Sequence, residues 1–159
     1  MKDNMGIGLK DARKNNEFLI KALVFLLDNE QTGNNIWNCT GDKMFDEILE
    51  RRKKLKLSST PNNIDTIENI LIYNTEWYGD IIGYPSDDKY VDFVIWGNKT
   101  LKEGSILALL TKQKFIGGLN CHLAYQLNTP YKIYPLPTSD YMWVVWKYNH
   151  IDNTMICWE

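Results

Sequence analysis

The sequence lacks the features that mark several large classes of protein. Its 159 residues carry 18 Lys and Arg against 20 Asp and Glu, without the basic excess typical of nucleic-acid-binding proteins. Three scattered cysteines cannot form a disulfide framework and have no zinc-site spacing. The longest apolar run, residues 22–27, is too short to span a bilayer. These absences predict a globular, cytoplasmic protein with reduced thiols and no membrane association, and they disfavour general nucleic-acid binding.

Recognisable catalytic and cofactor motifs are equally scarce. The segment Gly6-Ile7-Gly8 has no strand before it and no third glycine, so it is no phosphate-binding loop. Cys121 and His122 are adjacent, and neighbouring helical residues point about 100° apart, so His122 is badly placed to activate the thiol. A buried, structural Cys121 is the better interpretation. The sequence therefore predicts no catalytic residues, no cofactor and no metal.

The first half of the chain has the periodicity of helices. Residues 11–29 form an amphipathic pattern with a wide apolar face, and a second helix is predicted from Thr40 or Asp42 into the basic run that ends at Lys56. The intervening residues 29–41 are polar and predict a loop from which Trp37 reaches the core. Residues 64–71 suit a short helix, but residues 69–73 could equally form a strand, and the pattern does not separate the two.

The second half has the texture of strands and turns. Alternation over residues 90–96 predicts a strand that forms a hairpin with residues 80–84, and residues 101–114 predict a helix. The remaining predictions are a short helix at 121–127, an edge-like strand at 131–134, a strong strand at 141–148 that buries Val144 or Val145, and a final strand at 155–158. Together they predict one α+β domain over residues 1–159, with N-terminal helices packed on a small antiparallel sheet and one inserted helix.

Two groups of residues are candidates for contact with a partner. Arg51, Arg52, Lys53 and Lys54 form the basic end of the second helix, although cations are also common there because they complement the helix dipole. Trp143 and Trp146 lie three apart on one predicted strand and so point to opposite faces, unless both faces are covered. One of these tryptophans, or Tyr148, is predicted to be an exposed anchor in a protein interface.

An acidic hairpin supplies an alternative, enzymatic hypothesis. Asp80, Asp87, Asp88 and Lys89 resemble the carboxylates and lysine with which restriction-type nucleases hold Mg²⁺ and steady the attacking water. Their position in a turn favours a structural role, because aspartate is common in turns for backbone reasons. A third hypothesis is a nucleic-acid-binding accessory protein that uses the basic run.

The size and composition of the chain suggest one further comparison. Abundant Asn, Lys, Ile and Asp are typical of AT-rich genomes, and the chain is compact, mildly acidic and poor in motifs. In these respects it resembles small phage-encoded inhibitors of host defence, such as anti-CRISPR proteins. The resemblance implies a non-enzymatic protein in the cytoplasm of a bacterial host that blocks a protein partner, such as a nuclease or nuclease–nucleic acid complex, by occupying its surface.

Overall fold

The chain forms two compact units, Met1–Gln31 and Thr32–Glu159. In this computed structural model, the described residues are 4–33, 35–40, 43–52, 54, 77–137 and 139–158. The helix predicted over residues 64–71 and the alternative strand over residues 69–73 lie outside them, and one domain over residues 1–159 stays a prediction. Among the helices described, none combines the length and apolar character needed to cross a membrane.

The first unit is built on helix α1, Asn4–Asn29. The predicted helix over residues 11–29 is therefore confirmed, and it begins earlier than its apolar pattern indicates. At its C-terminal end, the Asn29 side chain donates a hydrogen bond to the Phe25 carbonyl, and the Glu30 amide donates to Leu26. These bonds satisfy carbonyls that the end of a helix leaves without intrahelical partners.

The second unit is a mixed six-stranded sheet in the described residues, with the order β1-β2-β3-β5-β4-β6. The elements are β1 Ile36–Cys39, α2 Lys43–Arg51, β2 Asp80–Gly83, α3 Tyr90–Thr100, β3 Ile106–Lys112, α4 Leu119–Leu127, β4 Lys132–Pro135, β5 Tyr141–Lys147 and β6 Met155–Ile156, with short 3₁₀ turns at Asp87–Lys89 and Gln113–Ile116. Strands β1, β2 and β3 are parallel, whereas β5 runs antiparallel to both β3 and β4. The α+β class is confirmed, and the expected small antiparallel sheet is corrected to a mixed one.

The predicted strand over residues 90–96 is wrong, because this segment is helix α3. Tyr90, Phe93, Val94 and Gly97 are buried, which is helical spacing, whereas Ile95 is exposed. Over seven residues rich in apolar side chains, a period of two and a period of 3.6 fit almost equally well. The predicted hairpin is consequently absent, and strand β2 leads through a turn into a helix.

The predicted helix over residues 101–114 is also wrong, because its centre is strand β3. Residues 106–111 are all buried, so both faces of this central strand are covered. A continuous apolar run of this kind has no periodicity that distinguishes a buried strand from a buried helix. Gly104, with φ of +82°, lies in the turn before the strand and breaks the helical pattern.

The other elements agree with expectation, with two adjustments. The helices predicted near Thr40 and at residues 121–127 are α2 and α4, the strand at 141–148 is β5, and β6 confirms the final strand. The polar segment 29–41 contains strand β1, whose Trp37 is buried as expected. The strand predicted at an edge, β4, has neighbours on both sides, because β6 pairs along it.

Strand β5 lies in the centre of the core. Val144 and Val145 are both fully buried, and so are Trp143 and Trp146 on its alternate faces. The same core includes a cluster of indole rings, in which Trp37 of β1 packs 5.6 Å from Trp77 and 5.4 Å from Trp96 between ring centroids. The many tryptophans of this sequence therefore serve mainly to fill a two-sided core.

Candidate functional site at the carboxyl ends of the parallel strands

The three parallel strands end at one edge of the sheet. Strand pairing places Cys39 beside Gly83 and Gly83 beside Leu109, and the start of β5 completes this edge because Tyr141 lies opposite Lys112. In open α/β sheets, ligands bind outside the carboxyl ends of the strands. We name this region the carboxyl edge and define it by the residues around the strand ends: Asn38, Thr40, Asp46, Tyr84, Asp87, Lys112, Lys114 and Tyr141.

A polar network occupies the end of β1. The Asn38 side-chain amide donates to the Asp46 carboxylate at 3.0 Å, and the Thr40 hydroxyl and backbone amide both donate to the Asn38 side-chain oxygen. These bonds connect the strand to the first turns of α2. Between Asn38 and Thr40, burial raises the pKa of the Cys39 thiol well above its usual value, so Cys39 stays protonated and is a poor nucleophile.

Two tyrosines meet at the end of β2. The hydroxyl oxygens of Tyr84 and Tyr141 are 3.2 Å apart, and their rings pack edge to face with centroids 6.0 Å apart. Burial, followed by the hydrogen bond to Tyr141, raises the pKa of Tyr84 well above its usual value. Its hydroxyl therefore remains protonated at neutral pH and can donate or accept a hydrogen bond, but it does not act as a base.

A carboxylate and two lysines complete the carboxyl edge. Asp87 lies 3.1 Å from the Lys112 ammonium and 3.3 Å from that of Lys114. The hydrogen bond from Lys112 is the main cause that lowers the pKa of Asp87, and the same bond raises the pKa of Lys112. Asp87 and Lys112 are consequently charged near neutral pH, and all three side chains are open to solvent.

The structure separates the residues of the predicted acidic hairpin. Asp80 begins β2, whereas Asp87 and Asp88 follow its far end. The Asp80 carboxylate accepts hydrogen bonds from the backbone amides of Gly33 and Ile106, at 2.6 and 2.9 Å, which is a structural role. Nowhere in the described part of the chain do three or more His, Cys, Asp or Glu side chains gather as they would around a metal ion. Lys89 lies in the 3₁₀ turn with Asp87 and Asp88, away from Asp80.

The predicted partner-binding residues are scattered. Arg51 and Arg52 are exposed at the end of α2, Lys54 donates to the Thr32 carbonyl at 3.2 Å, and Lys53 lies outside the described residues. Trp143 and Trp146 are buried, which leaves Tyr148, 44% exposed, as the accessible aromatic of the three. Neither tryptophan is therefore available as an exposed anchor beside the basic residues.

The cysteine and histidine of α4 have different environments. Cys121 is buried as predicted, and burial raises the pKa of its thiol, whereas His122 is exposed. The structure thus places the thiol inside and the imidazole outside, in keeping with the angle between adjacent helical residues.

Sequence reasoning missed the residues of the carboxyl edge. The sequence predicts a hairpin strand at Tyr84 and a helix at Lys112, so neither residue is expected to follow the end of a parallel strand. The available signal was the pattern of two short, wholly apolar runs, residues 81–83 and 106–110, each followed by polar or aromatic residues. Such runs are typical of parallel strands that are covered on both faces.

Comparison with known proteins gives a likeness of fold. No family model and no curated protein matches the chain. Among solved structures, it is similar to a Listeria monocytogenes protein inferred to be a class I S-adenosylmethionine-dependent methyltransferase, with a TM-score of 0.50 and 9% sequence identity. The match covers 89% of this chain and 63% of that one, so this chain spans less than two thirds of the matched protein. At this identity the likeness shows the fold alone.

This likeness overturns two predictions made from the scarcity of motifs. The chain was expected to be a non-enzymatic inhibitor that covers a partner's surface, and therefore no enzyme. Its fold is instead similar to that of a protein inferred to be an enzyme, so both predictions are corrected. The resemblance to anti-CRISPR proteins rested on size and composition, and no match bears on it.

Proposed function

We propose that this chain has the catalytic fold of a class I S-adenosylmethionine-dependent methyltransferase and that its carboxyl edge is the reaction site. The observation that carries the proposal is the convergence of three parallel strand ends on one polar edge, beside an antiparallel strand inserted between β3 and β4. The fold likeness supports the same assignment.

The residues at the end of β1 fit the cofactor that this fold implies. S-adenosylmethionine carries ribose hydroxyls and an ammonium group, which pair with carboxylates, carboxamides and hydroxyls. Asp46, Asn38 and Thr40 supply one group of each kind, already linked to one another by hydrogen bonds. When bound, the cofactor supplies an activated methyl group whose transfer breaks the carbon–sulfur bond while the acceptor's lone pair forms the new one.

The tyrosines and Asp87 would hold the acceptor. Since the Tyr84 hydroxyl stays protonated and contacts Tyr141, this pair offers a fixed donor and acceptor beside an aromatic surface. Asp87 is held in its charged form by Lys112, so it accepts a hydrogen bond from the acceptor but is a weak base. These groups therefore orient the acceptor, and they do not perform strong acid–base catalysis.

Binding of S-adenosylhomocysteine tests the proposal directly. We expect this product to release or absorb measurable heat on titration and to raise the melting temperature, because a ligand that binds only the folded state stabilises it. Asp46→Ala should weaken binding about tenfold or more, since it removes a carboxylate from the site. Asp152→Ala is the matched control, because Asp152 is an exposed aspartate after the far end of β5.

Two outcomes would contradict the proposal. One is the absence of any binding heat or thermal shift with S-adenosylhomocysteine at millimolar concentration. The other is an equal loss of binding in Asp46→Ala and Asp152→Ala. If binding is confirmed, incubation with S-adenosylmethionine labelled on its methyl group, followed by scintillation counting of nucleic-acid, protein and small-molecule fractions, identifies the acceptor class.

The cytoplasm is the compartment that best suits this proposal. Cys39, Cys121 and Cys157 are all free thiols in the structure. Unpaired cysteines are typical of reducing compartments.

A further inference from the structure

A polar groove lies at the edge of the sheet opposite to the carboxyl edge. Strand β5 begins beside Lys112 at the carboxyl edge and ends at Lys147, which pairs with the first residue of β3. The groove surrounds this far end of β5 and has a volume of about 420 Å³, within the range of sites that hold small molecules. Its lining shares no residue with the carboxyl edge, so its ligand is independent of the proposed methyl transfer.

Carboxamide groups dominate the lining of this groove. Three segments of the second unit meet there, namely the last turns of α3 and α4 and the turn after β5. Between them they contribute the side chains of Asn98, Gln126, Asn128 and Asn149. A carboxamide donates hydrogen bonds through its NH₂ and accepts them through its oxygen, as a hydroxyl does with one group. The groove therefore suits a ligand with many hydroxyls, whereas an apolar ligand would bury these groups without partners.

Hydrogen bonds within the protein fix the walls of the groove. The Asn98 NH₂ donates to the Val94 carbonyl at 2.8 Å, which leaves the Asn98 side-chain oxygen to accept from a ligand. The Trp146 indole donates to the backbone carbonyl of Asn128, also at 2.8 Å. In the turn after β5, Asn149 has φ of +60°, a conformation that asparagine tolerates better than most residues. A preformed site of this kind loses less entropy when it binds a ligand.

The charges around the groove favour a neutral ligand. Among the described residues that line it there is no Asp or Glu, and Lys147 is the single Lys or Arg. The Lys147 ammonium lies 4.1 Å from the centroid of the Tyr131 ring. The C-terminal ends of α3 and α4 each carry about half a negative charge from the helix dipole, so together they offset this ammonium. The groove therefore lacks the surplus positive charge that an anionic ligand needs.

We propose that this groove binds a neutral carbohydrate. Tyr148, which lines the groove and is 44% exposed, supplies an aromatic ring. A sugar ring presents C–H groups on its faces and hydroxyls around its edge, so it packs on an aromatic surface while its hydroxyls reach polar neighbours. The carboxamides and the Lys147 ammonium supply those neighbours. A free monosaccharide and a sugar unit of a larger glycan share this chemistry.

Amide NMR spectra of the full, isotope-labelled chain locate and measure this binding. Glucose, galactose, mannose and N-acetylglucosamine are the probes, each titrated separately to millimolar concentration. We expect at least one of them to shift the amide signals of Asn98, Gln126 and Asn149 in a saturable way and to leave those of Tyr84 and Lys112 unchanged. A glycan built from the sugar that binds should give the same shifts at lower concentration if the natural ligand is the larger molecule.

Two pairs of variants test the roles of the lining residues. Gln126→Ala removes one carboxamide and should raise the dissociation constant about fivefold, whereas His122→Ala, one turn earlier on the exposed surface of α4, should leave it unchanged. Tyr148→Ala should weaken binding similarly, and Tyr78→Ala is its control because Tyr78 is 66% exposed and lies outside the groove lining. These side chains are all exposed, so the variants should keep melting temperatures close to that of the wild type.

Glucose 6-phosphate and uridine test whether the ligand is neutral and whether it is a sugar. Because the helix ends offset Lys147, glucose 6-phosphate should bind no more tightly than the best neutral sugar. Tighter binding of glucose 6-phosphate or of uridine overturns the proposal. So does a spectrum that none of the four neutral sugars changes, or an equal effect of Gln126→Ala and His122→Ala on the dissociation constant.

Discussion

At the scale of single residues, Asp80 joins three parts of the second unit. Its carboxylate accepts one backbone hydrogen bond from Gly33, before β1, and another from Ile106, at the start of β3. In Asp80→Asn, the side-chain NH₂ must face one of these donors, so a buried amide loses its partner. We expect the free energy of unfolding to fall by about 1–3 kcal/mol, measured by urea denaturation. Asp88→Asn, on the exposed turn, should be close to neutral.

The pH dependence of stability distinguishes Asp80 from Asp87. Burial raises the pKa of Asp80 against the opposing effect of its backbone hydrogen bonds, so the folded state holds this proton more tightly than the unfolded state does. The contribution of Asp80 to folding stability is complete when the pH is below its pKa in the unfolded state. This contribution is lost as the pH rises through its pKa in the folded state. Asp87 has a lowered pKa, so its contribution is lost as the pH falls. We therefore expect Asp80→Asn and Asp87→Asn to change the pH dependence of the free energy of unfolding in opposite directions relative to the wild type. Changes in the same direction for both variants would contradict this prediction.

At the scale of elements, helix α3 packs against strand β3 through a glycine. A methyl group added at Gly97 would lie 2.5 Å from one Leu107 methyl carbon and 3.0 Å from the other. Leu107 is fully buried and cannot move away freely. Gly97→Ala should therefore destabilise the fold by about 1–3 kcal/mol, although alanine gains up to about 1 kcal/mol of helix propensity. Ile95→Ala, on the exposed side of α3, is the control in thermal denaturation, and equal melting temperatures for both variants would contradict the close packing.

The same two elements show where sequence patterns stop being informative. Helix α1 could be predicted because it is long enough for one period to dominate, and strand β5 could be predicted because its aromatic and β-branched residues favour strands. The elements α3 and β3 could not, since short apolar segments within a covered sheet fit both periods. The candidate site depended on these two predictions, because its residues follow the ends of β2 and β3. Tyr84 and Lys112 lie at the same edge of the sheet only because β1, β2 and β3 pair in parallel. These strands are far apart in the sequence, so a local pattern does not predict their pairing.

At the scale of the whole molecule, tryptophan shows how tertiary structure decides a residue's role. Composition alone suggested exposed anchors at Trp143 and Trp146, yet both lie in the core because both faces of β5 are covered. Most of the large apolar side chains that are exposed among the described residues lie instead on α4 and on or near β6. The face of a helix or strand that remains exposed to solvent is decided by the elements that pack against it. A local sequence pattern does not show which elements these are.

The sheet order also predicts how stability is distributed across the second unit. Strands β3 and β5 pair over seven residues each, and each has another strand on its other side, whereas β6 pairs over two residues at an edge. Amides in the middle of β3 and β5, such as those of Leu109 and Val144, should therefore exchange with solvent only through global unfolding, while the amides of β6 open locally. Hydrogen–deuterium exchange read by mass spectrometry should show β6 exchanging first and β3 and β5 last. Equal protection of β6 and β5 would mean that contacts beyond the described strand pairing stabilise this edge.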